Sequence, residues 1–286
     1  MKVSLNAYNI CRTSLAIGTL LTLISNSNYT LFGNNPPEVS FTYYNASLFF
    51  ILGNTILAKF FAIMVLLFVI SGFYPKFSGI LHWYVTYSFL ISCDVFDGGD
   101  QIASNLTLLL LPLTVLDKSQ NHWNSNGITF NSNYFLKLIQ KIFYNLILVQ
   151  ICVIYLHAFV GKLAIEEWSN GTAAYYWLTH KYFGIAEPFR NFAQHFLANE
   201  YITTIITWGT ILLEFILASF IFVSQNDKRR IVLFIVATIF HFNILIFHGL
   251  ASFFFMMLAA SSIYLIPLNK NYNLNFTLWQ KISKTF

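Results

Sequence analysis

Apolar residues run through this chain in long blocks separated by short polar segments. Blocks near residues 10–25, 54–73, 78–96, 102–116, 136–160, 202–224, 230–247 and 250–267 approach the ~20 residues a helix needs to cross ~30 Å of hydrocarbon. The first and fourth are short, and Arg12 and Lys118 are expected to snorkel from their ends to the headgroups. The interruptions at 33–37 (GNNPP), 72–79 around Pro75, and 121–133 (NHWNSNGITFNSN) carry residues that break helices or compete for backbone hydrogen bonds. The longest polar stretch, 166–200, is aromatic and mixed in charge, and is expected to form short external helices along the membrane surface. No stretch is long enough for a second domain. Residues 1–286 therefore read as a single transmembrane domain, an all-α, polytopic helix bundle of about eight spans. The first block has a positive start, but the SNSNYT after it lacks a small-x-small cleavage pattern, so it reads as a retained first helix.

Composition agrees. The chain is 57% hydrophobic and 19% aromatic, with only 9% charged residues, against about 25% in ordinary soluble domains. This excludes a water-soluble enzyme, and it excludes a long disordered region, which needs low hydrophobicity and high charge. The net charge of +5 matters less than its placement, and no nucleic-acid partner is expected; the partner common to every block is the lipid bilayer. With the amino terminus inside, Lys2, Arg12, Lys76, Lys118, Lys137, Lys141, Lys228, Arg229, Arg230, Lys270, Lys281 and Lys284 all fall on the cytoplasmic side. Asp94, Asp97 and Asp100 fall outside with no base beside them, and the mixed loop 166–200 is the weak point. The alternation follows the positive-inside rule and places both termini in the cytoplasm. Cys11, Cys93 and Cys152 are too few and too scattered for a disulfide framework or a zinc site.

Polar residues within apolar blocks are expensive and usually face a partner or a cavity. Four groups stand out. In 155–168 (YLHAFVGKLAIEEW), Lys162 and Glu166 are four apart and share a helix face. His157 is five from Lys162, about 140° around the helix. Lys162 reads either as a desolvated base or nucleophile or as an interfacial lysine paired with Glu166, and spacing alone favours the second. In 94–101 (DVFDGGDQ), Asp97, Asp100 and Gln101 flank two glycines. An oxygen-lined cation site is one use of such a turn, although the ligand pattern is not that of an EF-hand. An N-cap formed by Asp100 is the plainer one. Glu214 lies near the middle of the sixth block and needs a partner or a proton; Lys162 is the candidate by sign. His241 and His248 share a face but lie about 10 Å apart along the axis, too far for both to bind one metal ion directly. They read as polar contacts inside the bundle or, more sharply, as contacts to a lipid headgroup or quinone-like ligand. No metal site is expected and no cofactor is indicated. Phosphate-binding glycine loops, HExxH and GxSxG are absent.

Residues 9–23 (NICRTSLAIGTLLTL) resemble the opening of the SdpB family, membrane proteins of sporulation-delaying-protein-type toxin systems. GGDQ at 98–101, HAFVGKLAIEEW at 157–168, NGTAAYYW at 170–177 and FHFNILIFHGLASFFFMML at 240–258 are similar to the same family. They also resemble the wider HTTM group, which includes the transmembrane part of vitamin K-dependent gamma-carboxylase. The resemblance implies a bacterial cytoplasmic-membrane protein needed to produce a mature secreted peptide toxin. An SdpA-type protein and an SdpC-type toxin precursor are the implied partners. In the carboxylase the catalytic base is a lysine just before a leucine in a similar element, and Lys162, followed by Leu163, matches it. The resemblance thus implies chemistry at Lys162, with His157, Glu166 and Glu214 orienting or tuning it. Gamma-carboxylation itself is not implied, because the large soluble domain is missing. Two other functions remain open at this point: a non-catalytic scaffold for the precursor, and an immunity or transport protein.

Overall fold

The computed structural model describes residues 2–33, 46–124, 127–128, 130–268 and 270–275. The 33–37 turn beyond Gly33 and the tail lysines Lys281 and Lys284 lie outside the described residues. The fold is an all-α membrane helix bundle, with one short ribbon as its only sheet among the described residues.

In chain order the elements are β1 (Lys2–Leu5), α1 (Ala7–Ser25), α2 (Asn28–Phe32), α3 (Leu48–Ile51), α4 (Thr55–Ser71), α5 (Pro75–Ser92) and α6 (Gly98–Val115). They continue with α7 (Tyr134–Leu163), α8 (Glu166–Ser169), α9 (Ala173–Thr179), α10 (Glu187–Leu197), α11 (Glu200–Ser219), α12 (Arg229–His248), α13 (Ala251–Leu265) and β2 (Tyr272–Asn275). A long helix occupies each of the eight apolar blocks. α1, α7, α12 and α11 with the 3-10 turn after it are long and apolar enough to cross a membrane, and α4 and α13 are shorter apolar helices.

The helix starts explain the two short blocks. α1 begins before its apolar run because Asn6 and Asn9 form a reciprocal capping box. α6 begins at Gly98 because Asp97 is the N-cap and Asp100, three residues on, returns its side chain to the Asp97 N–H. The expected N-cap at Asp100 is therefore displaced to Asp97, and the acidic motif is the first turn of the helix rather than a loop before it. Asn54, Asn133 and Asn199 cap α4, α7 and α11 in the simpler way, by accepting two backbone N–H groups each.

α1 and α13 form the antiparallel centre: Ala7 O meets Ser262 Oγ near one end and Gly18 meets Met256 and Ser252 near the other. A Cβ on Gly18 would lie 2.6 Å from Met256 Cε and 3.1 Å from the Ser252 carbonyl, so the missing side chain sets the interhelical distance. Gly18→Val is expected to cost about 1–3 kcal/mol by overpacking. Gly18→Ala should cost less, since the Met256 end can swing. Thermal unfolding of the detergent-solubilised variants measures both, and a Gly18→Val protein as stable as wild type would contradict this packing.

The other long helices lie around this pair, several with a single narrow stripe turned inward. On α4 the stripe is Ala58, Ala62, Leu66 and Val69, while Ile56, Phe60, Met64 and Leu67 face out. α12 buries Arg230, Leu233, Ala237 and His241 and exposes Val232, Val236, Ile239 and Ile246. Outward apolar faces of this extent, on helices with satisfied backbones, are the surface a bilayer covers. β1 pairs antiparallel with β2, Leu5 opposite Tyr272, so the residues before α1 and after α13 meet at one end of the bundle, the ribbon end.

Two arginines depart from expectation. Arg12 does not snorkel: it is 1% exposed, with Nη1 2.8 Å from His122 Nδ1 and Nη2 donating to Ser78 Oγ at 2.9 Å. The 3-10 turn at His122–Asn124 folds under α1 and brings the imidazole to it. Arg230 is not a loop charge either. It is fully buried and donates to the carbonyls of Phe220, Val223, Ser224 and Tyr264.

Candidate functional site

The inward stripe of α7 runs Tyr144, Ile147, Leu148, Ile151 and Tyr155. Seven residues past Tyr155, two helical turns, Lys162 continues it. On α11 the matching stripe is Thr203, Thr207, Ile211, Glu214 and Ala218. The two stripes face one another in antiparallel packing, and Lys162 Nζ lies 2.6 Å from Glu214 Oε1 and 2.8 Å from Oε2. The Trp168 ring covers the ammonium at 5.1 Å from its centroid. The lysine side chain is 21% exposed and the glutamate 8%, so one flank of the pair is open and the other sealed.

Deeper in the bundle Tyr155 Oη lies 3.2 Å from His241 Nε2 and 3.0 Å from Ser261 Oγ. His241 Nδ1 is buried without a hydrogen-bond partner among the described residues. The Lys162–Glu214 pair under Trp168 and the Tyr155–His241–Ser261 cluster are thus two polar groups on the inward side of α7, two helical turns apart along it. The ammonium–carboxylate pair can exchange a proton between its own two members, and its open flank is where a reacting group can approach.

Residues 155–168 and Glu214 thus carry the local chemistry. The chain is 34% identical over 279 residues to the sporulation-delaying protein SdpB of Bacillus subtilis (strain 168), which covers 95% of this chain and 84% of that protein. It belongs to the SdpB family. It is also 32% identical over 291 residues to the uncharacterized protein YitO of the same organism, covering 98% of this chain and 92% of YitO. No family model and no solved structure matches it.

In this SdpB family member, not every residue singled out from sequence reaches the Lys162–Glu214 pair. Lys162 and Glu214 meet, and His241 meets Tyr155 in a separate cluster. Glu166 does not pair with Lys162 in the structure. α7 ends at Leu163 and the chain turns through Ala164 and Ile165 before α8, so the four-residue helical spacing no longer brings the two side chains together. His157 is exposed, two residues and about 200° from Tyr155, hence on the outward face. His248 lies at the end of α12, its Nδ1 against the Phe183 carbonyl. Asp97, Asp100 and Gln101 belong to a different corner, on α6, with Gln101 exposed.

Sequence reasoning missed Tyr155, Ser261 and Trp168 as members of the site. The signal for Tyr155 was its seven-residue spacing from Lys162. Ser261 and Trp168 are placed by packing between distant segments and carry no such mark.

Proposed function

We propose that this protein takes part in producing a mature secreted peptide toxin of the sporulation-delaying type, as a membrane enzyme acting on the peptide at the outer leaflet. The observation that carries the chemical reading is the Lys162–Glu214 pair, half-sealed where the last turn of α7 packs against α11. Family membership points to the toxin system, since one relative is a sporulation-delaying protein. An SdpA-type protein and an SdpC-type precursor are the partners this reading calls for. The similarity of the Lys162–Leu163 element to the carboxylase lysine fits a role in chemistry, within an HTTM-like domain.

Several observations support eight spans with both termini cytoplasmic. An even number of crossings is what lets β1 and β2 pair. The ribbon end carries Lys76, Lys118, Lys137, Lys141, Lys228 and Arg229 against Asp117 and Asp227, and the far end carries Asp94, Asp97, Glu167, Glu187 and Glu200 against Lys59, Lys181 and Arg190. The charge bias survives removal of the two buried arginines. α10 turns Phe189, Phe192 and Phe196 outward and Ala193 and Leu197 inward, a pattern suited to a helix lying in the headgroup region.

The chemistry follows from the pair's geometry. Lys162 must lose a proton to act as base or nucleophile, and Glu214 Oε1, 2.6 Å away, is positioned to take it. Transfer converts an ion pair into a neutral amine and carboxylic acid, which a low-dielectric site tolerates better than separated charges. A scaffold role draws on the same contacts, since a fully satisfied pair also ties α7 to α11.

The test at the level of function is mass spectrometry of peptide secreted by cells with and without this protein. Without it, mature peptide is expected to disappear and precursor to accumulate. Undiminished peptide from cells that have become toxin-sensitive would assign the protein to immunity instead.

A further inference from the structure

The outward faces of α6 and α7 carry polar residues that neither the packing of the bundle nor the Lys162 site uses. Gln101, Asn105, Leu108 and Pro112 on α6 are exposed or half-exposed, and so are Leu146, Gln150, Val153 and His157 on α7. Both sets repeat at intervals of four, three and four residues, so each is one straight stripe with the spacing of a helix-packing seam. α6 turns Thr107 to Thr86 of α5 and buries Ile102 and Leu106 in the core it shares with α7, and its stripe lies on the remaining side. On α7, Gln150 is about 200° from Cys152, whose thiol donates to the Ala218 carbonyl of α11. The α7 stripe therefore faces away from α11. Since α6 and α7 pack side by side, the two stripes make up one outward face.

The depth of these residues can be counted from the ribbon end. Leu116, just past α6, and Leu136, in the first turn of α7, line one cavity there. At 1.5 Å per residue from these two, Gln101 stands about 22 Å up the bundle, Gln150 about 21 Å and Asn105 about 16 Å. All three fall within the ~30 Å of hydrocarbon, while His157, about 31 Å up, reaches the far headgroups. None of the three carboxamides makes a side-chain hydrogen bond among the described residues. A carboxamide turned to lipid tails without a partner is expensive, and polar side chains at such positions join transmembrane helices to one another.

We propose that a second copy of this chain packs on this face as a two-fold dimer, with Gln101 of each copy hydrogen-bonded to Gln150 of the other. A two-fold axis along the membrane normal keeps every residue at its own depth, so only groups that are level can meet across it. Gln101 and Gln150 are level to within about one helical turn. They stand on adjoining helices, so α6 of one copy lies against α7 of the other and the same contact forms twice, as an isologous interface requires. A carboxamide is donor and acceptor at once, which makes one glutamine a complete partner for another. Asn105, one turn along the stripe from Gln101, is within reach of the same network. The aliphatic members, Leu108, Leu146 and Val153, supply the packing between the polar positions.

The test is disulfide trapping in native membranes. Two differently tagged full-length chains are co-expressed, one with Gln101→Cys and the other with Gln150→Cys, and oxidised with copper phenanthroline. The wild-type chain, with Cys11, Cys93 and Cys152 in place, is the blank. A cross-link carrying both tags is expected, absent when either variant is expressed alone. Asn145→Cys in place of Gln150→Cys should trap nothing, because Asn145 is exposed on α7 but about 140° around it from Gln150. Photobleaching of a fluorescent fusion in lipid vesicles at increasing dilution reads the dimer independently, with two bleaching steps expected for wild type. Gln150→Leu, an outward change that leaves the fold intact, removes both symmetry-related contacts and should weaken the dimer about tenfold. Single-step bleaching of wild type at every dilution, or no two-tag cross-link, overturns the dimer. So does a cross-link formed only when both cysteines stand in one chain, which would make the two glutamines partners within a copy. An undiminished dimer in Gln150→Leu overturns the glutamine contact. A monomeric wild type whose Gln150→Leu variant secretes less peptide would give the face to a different transmembrane partner and overturn the second copy.

Discussion

Cells carrying Lys162→Arg in place of the wild-type protein are expected to secrete at least about 100-fold less mature peptide, the usual scale for losing an acid–base group, while the protein stays in the membrane at normal level. Arginine retains the positive charge, the carboxylate contact and the ring contact of Lys162, all of which the structure shows in use. What it cannot do is give up its proton at accessible pH. The substitution therefore separates chemistry from architecture. Lys162→Ala is expected to lose peptide as well, but it strands Glu214, whose side chain is 8% exposed. An uncompensated buried carboxylate is destabilising by several kcal/mol unless it takes a proton. Combining Lys162→Ala with Glu214→Gln removes both charges and should recover stability without recovering peptide. Mass spectrometry of the secreted peptide, with membrane levels matched, reads all three. Normal peptide from Lys162→Arg would make the pair a tie between α7 and α11 and leave the scaffold reading standing.

The second large effect concerns stability. Arg230→Ala is expected to yield little or no folded protein, judged by size exclusion of a fluorescent fusion. The last carbonyls of a helix have no partner within it, and those closing α11 and its terminal 3-10 turn are met by a side chain of α12. Arg230 answers this with one planar fork: Nη2 to Phe220 and Val223 at 2.7 and 2.6 Å, Nε to Ser224 at 2.9 Å, and Nη1 to Tyr264 at 2.7 Å. A carbonyl left unsatisfied away from water costs about 1–3 kcal/mol; the Tyr264 bond is buried and the other three part-buried, so their joint loss takes a large share of the margin of an ordinary fold. Arg230→Lys should fail nearly as badly, because an ammonium is a point donor without the fork. The neighbouring residue is the control. Arg229 is 74% exposed and pairs with Asp227, and Arg229→Ala should leave stability close to wild type because such surface pairs contribute little. Equal yields from the Arg229 and Arg230 variants would refute the carbonyl network.

Both predictions depend on charges whose neighbours lie far away in the chain, and this marks how much of the protein the sequence made legible. Hydrophobic blocks and the breaks between them located the helices, because helix length against bilayer thickness is a local requirement. Capping was legible in kind but shifted in place. The DVFDGGDQ motif marks a helix start, yet only the reciprocal bonds between Asp97 and Asp100 show which acid is the cap. Burial stripes were also readable: the three-and-four spacing of Thr207, Ile211, Glu214 and Ala218 turns Glu214 inward before any partner is known.

Partnership was not readable in the same way. Four-residue spacing pointed Lys162 to Glu166, and the helix ended at Leu163, three residues short of that partner. Sign alone nominated Glu214, 52 residues away, but packing of α7 on α11 was needed to join them. Arg12 and Arg230 looked like interface charges because they stand near the ends of apolar blocks. They are buried because His122 and the carbonyls closing α11 reach them from other segments. By itself, then, the sequence determined a membrane helix bundle, its helix positions and its family, through local hydrophobicity and residue order. Tertiary structure alone decided which buried charges meet, since that depends on how stripes from distant helices face one another in a low-dielectric interior, where each charge must find a partner.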